Sequence, residues 1–121
     1  MTSDSSGFGA TVLVHTFSSA IESPWNVVAA AKAFPKATII VAHMGGDAWW
    51  EGVKVGRQAP NLYLELCSTV TDPEKARAAV DAVGPERVLF GTDATLFTAS
   101  HMVGAMADLG LTGDELELIM G

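Results

Sequence analysis

With 121 residues the chain has room for one domain at most, or for part of one. Apolar residues make up 49% and charged ones only 17%, which allows a sizeable core and argues against disorder. The formal charge of -7 comes without any basic run, so neither nucleic acid nor an anionic membrane is expected as a partner. A single cysteine, Cys67, provides no internal disulfide framework and fits a reducing compartment. No run reaches the roughly 18 apolar residues that a spanning helix requires. Residues 1–10 are polar and Gly-rich, with neither a basic start nor an apolar core. They are expected to form a flexible N-terminal segment rather than a signal peptide, and a cytoplasmic location follows as the default.

In chain order, the first element is the β-branched run Thr11-Val12-Leu13-Val14-His15. Ser23 then caps a helix with Pro24 at its first position, followed by Val27, Val28, Ala31 and Phe34 at helical spacing. Thr38 to His43 is a second, nearly continuous apolar run of the kind that strands buried on both faces show. A less regular helix is expected over Asp47 to Ala59, and a third strand over Leu62 to Leu66. Asp72-Pro73 opens a helix with Ala76, Ala79, Val80 and Val83 on one face, and Gly84-Pro85 ends it. Arg87 to Gly91 is the fourth strand. Met102, Ala105, Met106 and Leu109 stripe a further helix, and Thr112 with Glu115 forms a capping box for the last one.

Strict strand–helix alternation means right-handed crossovers and a parallel α/β sheet. The strand ends recur at intervals of roughly 25 residues, close to the length of one βα unit. Four units make half of a (β/α)8 barrel, which normally takes about 250 residues. A small doubly wound sheet is the other architecture with four parallel strands, although no G-x-G-x-x-G follows the first strand. The pattern alone leaves both open.

In parallel α/β folds, functional groups gather beyond the C-terminal ends of the strands. Three of the four strands end in a ligand type: His15, His43 and Asp93. Two imidazoles and a carboxylate suit zinc, or a similar divalent ion such as manganese. An ion held this way acidifies water or polarises a carbonyl, and Asp93 beside it is placed to accept a proton. Each position also has a structural explanation. A histidine at a strand end is often simply hydrogen-bonded, and an aspartate before a helix is often its N-cap. His101 falls inside a helical stretch and is expected at the surface or in packing. Cys67 is expected as a small buried hydrophobe, while parity does not settle where Glu65 points. Gly45-Gly46 either offers N–H groups to an anion or, more simply, makes a tight turn. Trp49 and Trp50 either wall a pocket or pack in the core or at a subunit interface.

Three segments add a resemblance. Ile40 to Gly46 resembles the I-x-A-H-x-G-G segment of the amidohydrolase-related family, which contains metal-dependent hydrolases and decarboxylases. Pro60 to Leu66 is similar to its P-N-L-Y-x-D-x strand, and Val83 to Asp93 to its V-G-x-x-R-V-L-F-G-T-D signature. The resemblance implies the C-terminal half of a (β/α)8 TIM barrel of the metal-dependent hydrolase type, strands five to eight, over residues 11–121. It implies that His15 is the fifth-strand metal ligand and His43 the sixth-strand histidine, which in the family often contacts substrate or water rather than metal. Asp93 corresponds to the eighth-strand aspartate, a metal ligand and proton-transfer group. The implied function is metal-dependent hydrolysis of a small, carboxylated substrate, with non-oxidative decarboxylation (a lyase reaction) as the alternative. The family's first-strand H-x-H pair does not occur in the chain. The chain is therefore expected to be a fragment, inactive alone or acting only as a weak metal-binding or assembly module. Two open sheet edges also suggest a homo-oligomer.

Overall fold

The protein is described from a computed structural model that covers residues 9–67, 72–91, 104 and 106–121. Four strands, β1 (Thr11–His15), β2 (Thr38–Ala42), β3 (Leu62–Glu65) and β4 (Val88–Leu89), run parallel in the order β1-β2-β3-β4. Sequential order decides between the two architectures. A doubly wound sheet reverses its strand order at a switch point, whereas a barrel wall adds each strand beside the last. The chain is a segment of barrel wall.

Among the described residues, four complete α-helices accompany the strands: α1 (Val28–Ala33), α2 (Trp49–Gly56), α3 (Pro73–Val83) and α4 (Gly113–Met120). Several caps form as the sequence demands. The Asp72 side chain accepts from the N–H groups of Glu74 and Lys75 at the start of α3. Thr112 and Glu115 form the reciprocal capping box of α4. Glu115 also meets Arg77 through two bonds of 2.9 and 2.7 Å, tying α4 to α3. The Arg77 guanidinium holds the Glu115 carboxyl down to about 2.

Other expectations need correction. The helix expected from Ser23 begins as a 3-10 turn, Pro24–Val27, before α1. Phe34, expected on its buried face, is exposed, because it is the C-cap and its backbone has left the helix (φ -125, ψ 71). The second and third strands stop at Ala42 and Glu65, with His43 opening a 3-10 turn. The fourth strand shrinks to Val88–Leu89, its start consumed by the 3-10 turn Pro85–Arg87. Met106 and Leu109 are buried as the stripe requires. Met102 and Ala105 lie outside the described residues.

Alternation along the strands gives the sheet two unlike faces. Ile39, Val41, Leu62, Leu64 and Val88 point to the helices and form the core with Ala31, Val53, Val55, Ala76, Ala79 and Val80. Leu13, Ile40 and Leu89 point the other way and line an open concave pocket. Leu13 is 65% exposed there. No helix among the described residues is long and apolar enough to cross a membrane.

Two motif residues clamp the end of the sheet where the strands begin. Asn61 Nδ2 donates to the carbonyls of Ala31, Phe34 and Ala37, which satisfies the end of α1 and the turn into β2. Arg87 reaches the carbonyls of Ala59 and Leu62 at 3.0 and 2.8 Å, and that of Val83 through Nε. Both serve stability at the face away from the strand ends. Asn61→Ala should therefore lower unfolding free energy by about 1–3 kcal/mol in urea titrations. Asn61→Asp, which aims a carboxylate at three carbonyl oxygens, should cost more at pH 7 than at a pH where it is protonated. Equal losses for Ala and Asp at both pH values would refute this role.

Candidate metal centre

The turn leaving β2 is the most constrained backbone near the strand ends. His43 and Met44 have φ of 64 and 40°, and Gly45 and Gly46 follow at 95 and 60°. Glycine tolerates this region, but His and Met pay a steric cost in it. Three side chains hold the turn. Thr16, buried, donates from Oγ1 to Ala42 O at 2.6 Å and accepts from Gly45 N at 2.8 Å. Glu65 Oε1 accepts from His43 N at 3.0 Å. Lys75 Nζ donates to Gly46 O at 3.1 Å. The Gly45 N–H is thus spent inside the turn, so the tight-turn account of Gly45-Gly46 applies.

The turn aims the His43 imidazole across the sheet at His15. The two ring centroids lie 5.1 Å apart with planes at 78°, and Phe17 stacks on His15 at 6.2 Å. His15 Nε2 bonds Glu22 Oε2 at 2.8 Å. The Ser19 hydroxyl and His15 together keep the Glu22 carboxyl below the ordinary carboxylate range. A carboxylate behind an imidazole fixes its orientation and raises its basicity. A tetrahedral zinc with Zn–N bonds of about 2.0–2.1 Å would set two imidazole centroids roughly 5 Å apart. The separation of the His15 and His43 rings is of that order. Asp93 and His101 lie outside the described residues.

Glu65 is the site residue whose direction sequence parity left open. It turns into the concave pocket of about 550 Å³ that His15, His43, Cys67 and Gly91 also line. Its second oxygen, Oε2, accepts from Cys67 N at 2.7 Å, so one buried carboxylate ties the ends of β2 and β3 together. Gly91 makes room for it, since a Cβ there would collide with Oε2. Cys67 is buried as expected, though against polar neighbours: its carbonyl lies 3.4 Å from His43 Nδ1. Glu22 and Thr16 were not singled out in the sequence. A glutamate seven residues after His15 carries no periodic signal. Trp49 packs beneath Lys75 and against Trp50, outside the lining of this pocket.

Four parallel strands in sequential order, each followed by helical structure, form part of the wall of a (β/α)8 barrel. The amidohydrolase family model matches residues 7–121, and the chain belongs to that family. No curated protein matches it in sequence. Among solved structures, a TIM-barrel protein from Bordetella bronchiseptica shares 21% identity at a TM-score of 0.78, over 94% of this chain and 43% of its own. An amidohydrolase from Burkholderia multivorans with bound zinc shares 20% identity at 0.67, over 92% of this chain and 49% of its own. A dihydroxybenzoic acid decarboxylase from Polaromonas sp. JS666, with bound manganese and 2-nitroresorcinol, shares 17% at 0.61, over 79% of this chain and 35% of its own. The chain thus spans less than half the length of each of these structures.

The Lys75 bond makes the turn sensitive to pH. Lys75 is 2% exposed, and burial pulls its ammonium down to about 8 from 10.5, against the opposing pull of Asp72 and Asp47. Between those values the unfolded chain keeps a proton that the folded chain has lost. Stability attributable to Lys75 should therefore rise as pH climbs from about 8 to above 10.5. Urea midpoints measured through that window should climb relative to Lys75→Met, and parallel curves for the two proteins would count against it.

Proposed function

We propose that this chain carries half of the catalytic site of a metal-dependent hydrolase that acts on a small carboxylated substrate. The observation that carries this is the His15–His43 pair, held at a spacing suited to one divalent ion at the C-terminal end of the sheet. His15, His43 and Asp93 are the proposed ligands, with His43 and Asp93 also the proposed catalytic groups. Such an ion, when bound, supplies Lewis acidity that polarises a substrate oxygen and lowers the pKa of water to about 7.

The remaining chemistry belongs to the chain. Glu22 orients the His15 ring, and Glu65 holds the His43 backbone so that its imidazole faces the pocket. His43 then donates a hydrogen bond to the substrate's developing negative charge. Asp93 accepts a proton from the attacking water and returns it to the leaving group. The apolar walls at Leu13, Ile40 and Leu89 favour a substrate with an apolar body and one charged end. Non-oxidative decarboxylation is a second reading, favoured by the manganese decarboxylase among the similar folds. Asp93 would there deliver a proton to the carbon that loses its carboxylate. Zinc and manganese are both compatible with the donor set.

Elemental analysis of the purified, dialysed chain tests the metal half of this proposal. After loading with manganese, near-stoichiometric manganese is expected, falling at least tenfold in His15→Ala/Asp93→Ala. Loss in the double variant, with far-UV circular dichroism unchanged, would justify screening carboxylated esters, amides and aromatic acids for hydrolysis or carbon dioxide release. Equal metal in both proteins, or none in either, would reject the chain as a self-sufficient half site.

A further inference from the structure

The concave pocket also holds a donor set at the ends of β2 and β3 that does not involve His15 or Asp93. One imidazole nitrogen of His43, one carboxylate oxygen of Glu65 and Sγ of Cys67 all lie within 4.8 Å of one another. A tetrahedral ion with bonds of about 2.0–2.3 Å spaces its ligand atoms roughly 3.5 Å apart. Rotations that bring these atoms closer by about an ångström would close a three-ligand site around one ion. We propose that His43, Glu65 and Cys67 form a thiolate-containing site for a borderline or soft divalent ion such as zinc, cobalt or cadmium.

Three features support it. The Glu65 carboxylate is fixed by two backbone N–H groups, one on each oxygen. A carboxylate offers about four lone-pair sites, so both oxygens keep capacity for an ion while their orientation is already set. The two N–H groups belong to His43 and Cys67, the other two members of the set, so one carboxylate positions all three donors. Gly91 keeps the adjoining space open, because a Cβ there would collide with Glu65 Oε2 and lie 3.4 Å from Cys67 Cβ. As the S–metal bond forms, the Cys67 thiol proton passes to solvent, so binding strengthens as pH rises. A thiolate donor selects against manganese, which prefers oxygen ligands. The site shares His43 with the proposed catalytic set but does not rest on that proposal.

Titration of the full chain, reduced and metal-free, with cobalt or cadmium tests this through the thiolate-to-metal charge-transfer band. One equivalent should develop the band, and excess manganese should not suppress it. Cys67→Ser should abolish it with the fold intact by circular dichroism. His43→Ala should weaken binding at least tenfold, and Gly91→Ala should weaken it as well. His15→Ala should leave the band in place. A band that forms equally well in His43→Ala would mean that an isolated thiol binds the ion, and the site would be rejected. Absence of the band in the folded wild-type chain would reject it too. Loss of manganese from His15→Ala/Asp93→Ala without any thiolate band in the wild type would leave the proposed catalytic set standing and this one refuted.

Discussion

A parallel strand has two faces, and crossover helices that pack on one side cover only one of them. That constraint organises the protein. Ile39, Val41, Leu62, Leu64 and Val88 face the helices and are buried. Leu13, His15, Ile40, Ala42, Glu65, Cys67 and Leu89 line the opposite side. Along that side the residues lie in layers, Leu13 beside Ile40 and, one step further, His15 beside Ala42. The first of these layers is apolar and the next begins the polar site. A barrel interior is a stack of such layers whose last one opens at the C-terminal ends of the strands. Among the described residues, His15, His43, Glu65 and Cys67 of this face gather at that end.

The polar layer is held by backbone strain and the contacts that oppose it. Two non-glycine residues in the left-handed region cost about 1–3 kcal/mol each. The Glu65 bond to the same turn involves a charged group and contributes about 1.5–3 kcal/mol, while burial of the Lys75 ammonium offsets what its bond contributes. The Glu65 bond carries further, since the same carboxylate fixes Cys67 N. Strain at the end of β2 and the position of the end of β3 are therefore one mechanical unit.

Much of this architecture was legible because it rests on local chemistry. Apolar β-branched runs became strands, Asp72 and Thr112 became caps, and the alternation of elements became a parallel sheet. The alternation of elements alone left strand order open, since four strands can be wound either way; the resemblance carried by Ile40 to Gly46 and Val83 to Asp93 implied the barrel order that the pairing shows. The direction of Glu65 was hidden for a related reason. Parity assigns a face only when the neighbours on that face are known, and the N–H groups of His43 and Cys67 come from a turn whose φ values no hydrophobic pattern encodes. Asn61 and Arg87 show the converse. Their motif made the family recognisable, yet each one binds carbonyls at the end of the sheet away from the site.

Recognition and chemistry thus lie at opposite ends of the same strands, and they make different demands on the chain. The clamps at Asn61 and Arg87 involve only residues from α1 to the start of β4, all of which this chain contains. They need nothing from elsewhere to hold. The proposed imidazole pair is different: two nitrogen donors would give a divalent ion at most half of a tetrahedral shell, and further ligands would have to supply the rest. Cys67 and Glu65 sit close enough to His43 to act as such ligands from within β3 and its end. A site built from them would be softer than one completed by oxygen and imidazole donors alone. In the two proposed sites, metal preference would be set by which neighbour of His43 completes the shell, and the Glu65 carboxylate that fixes the His43 backbone would bias that choice.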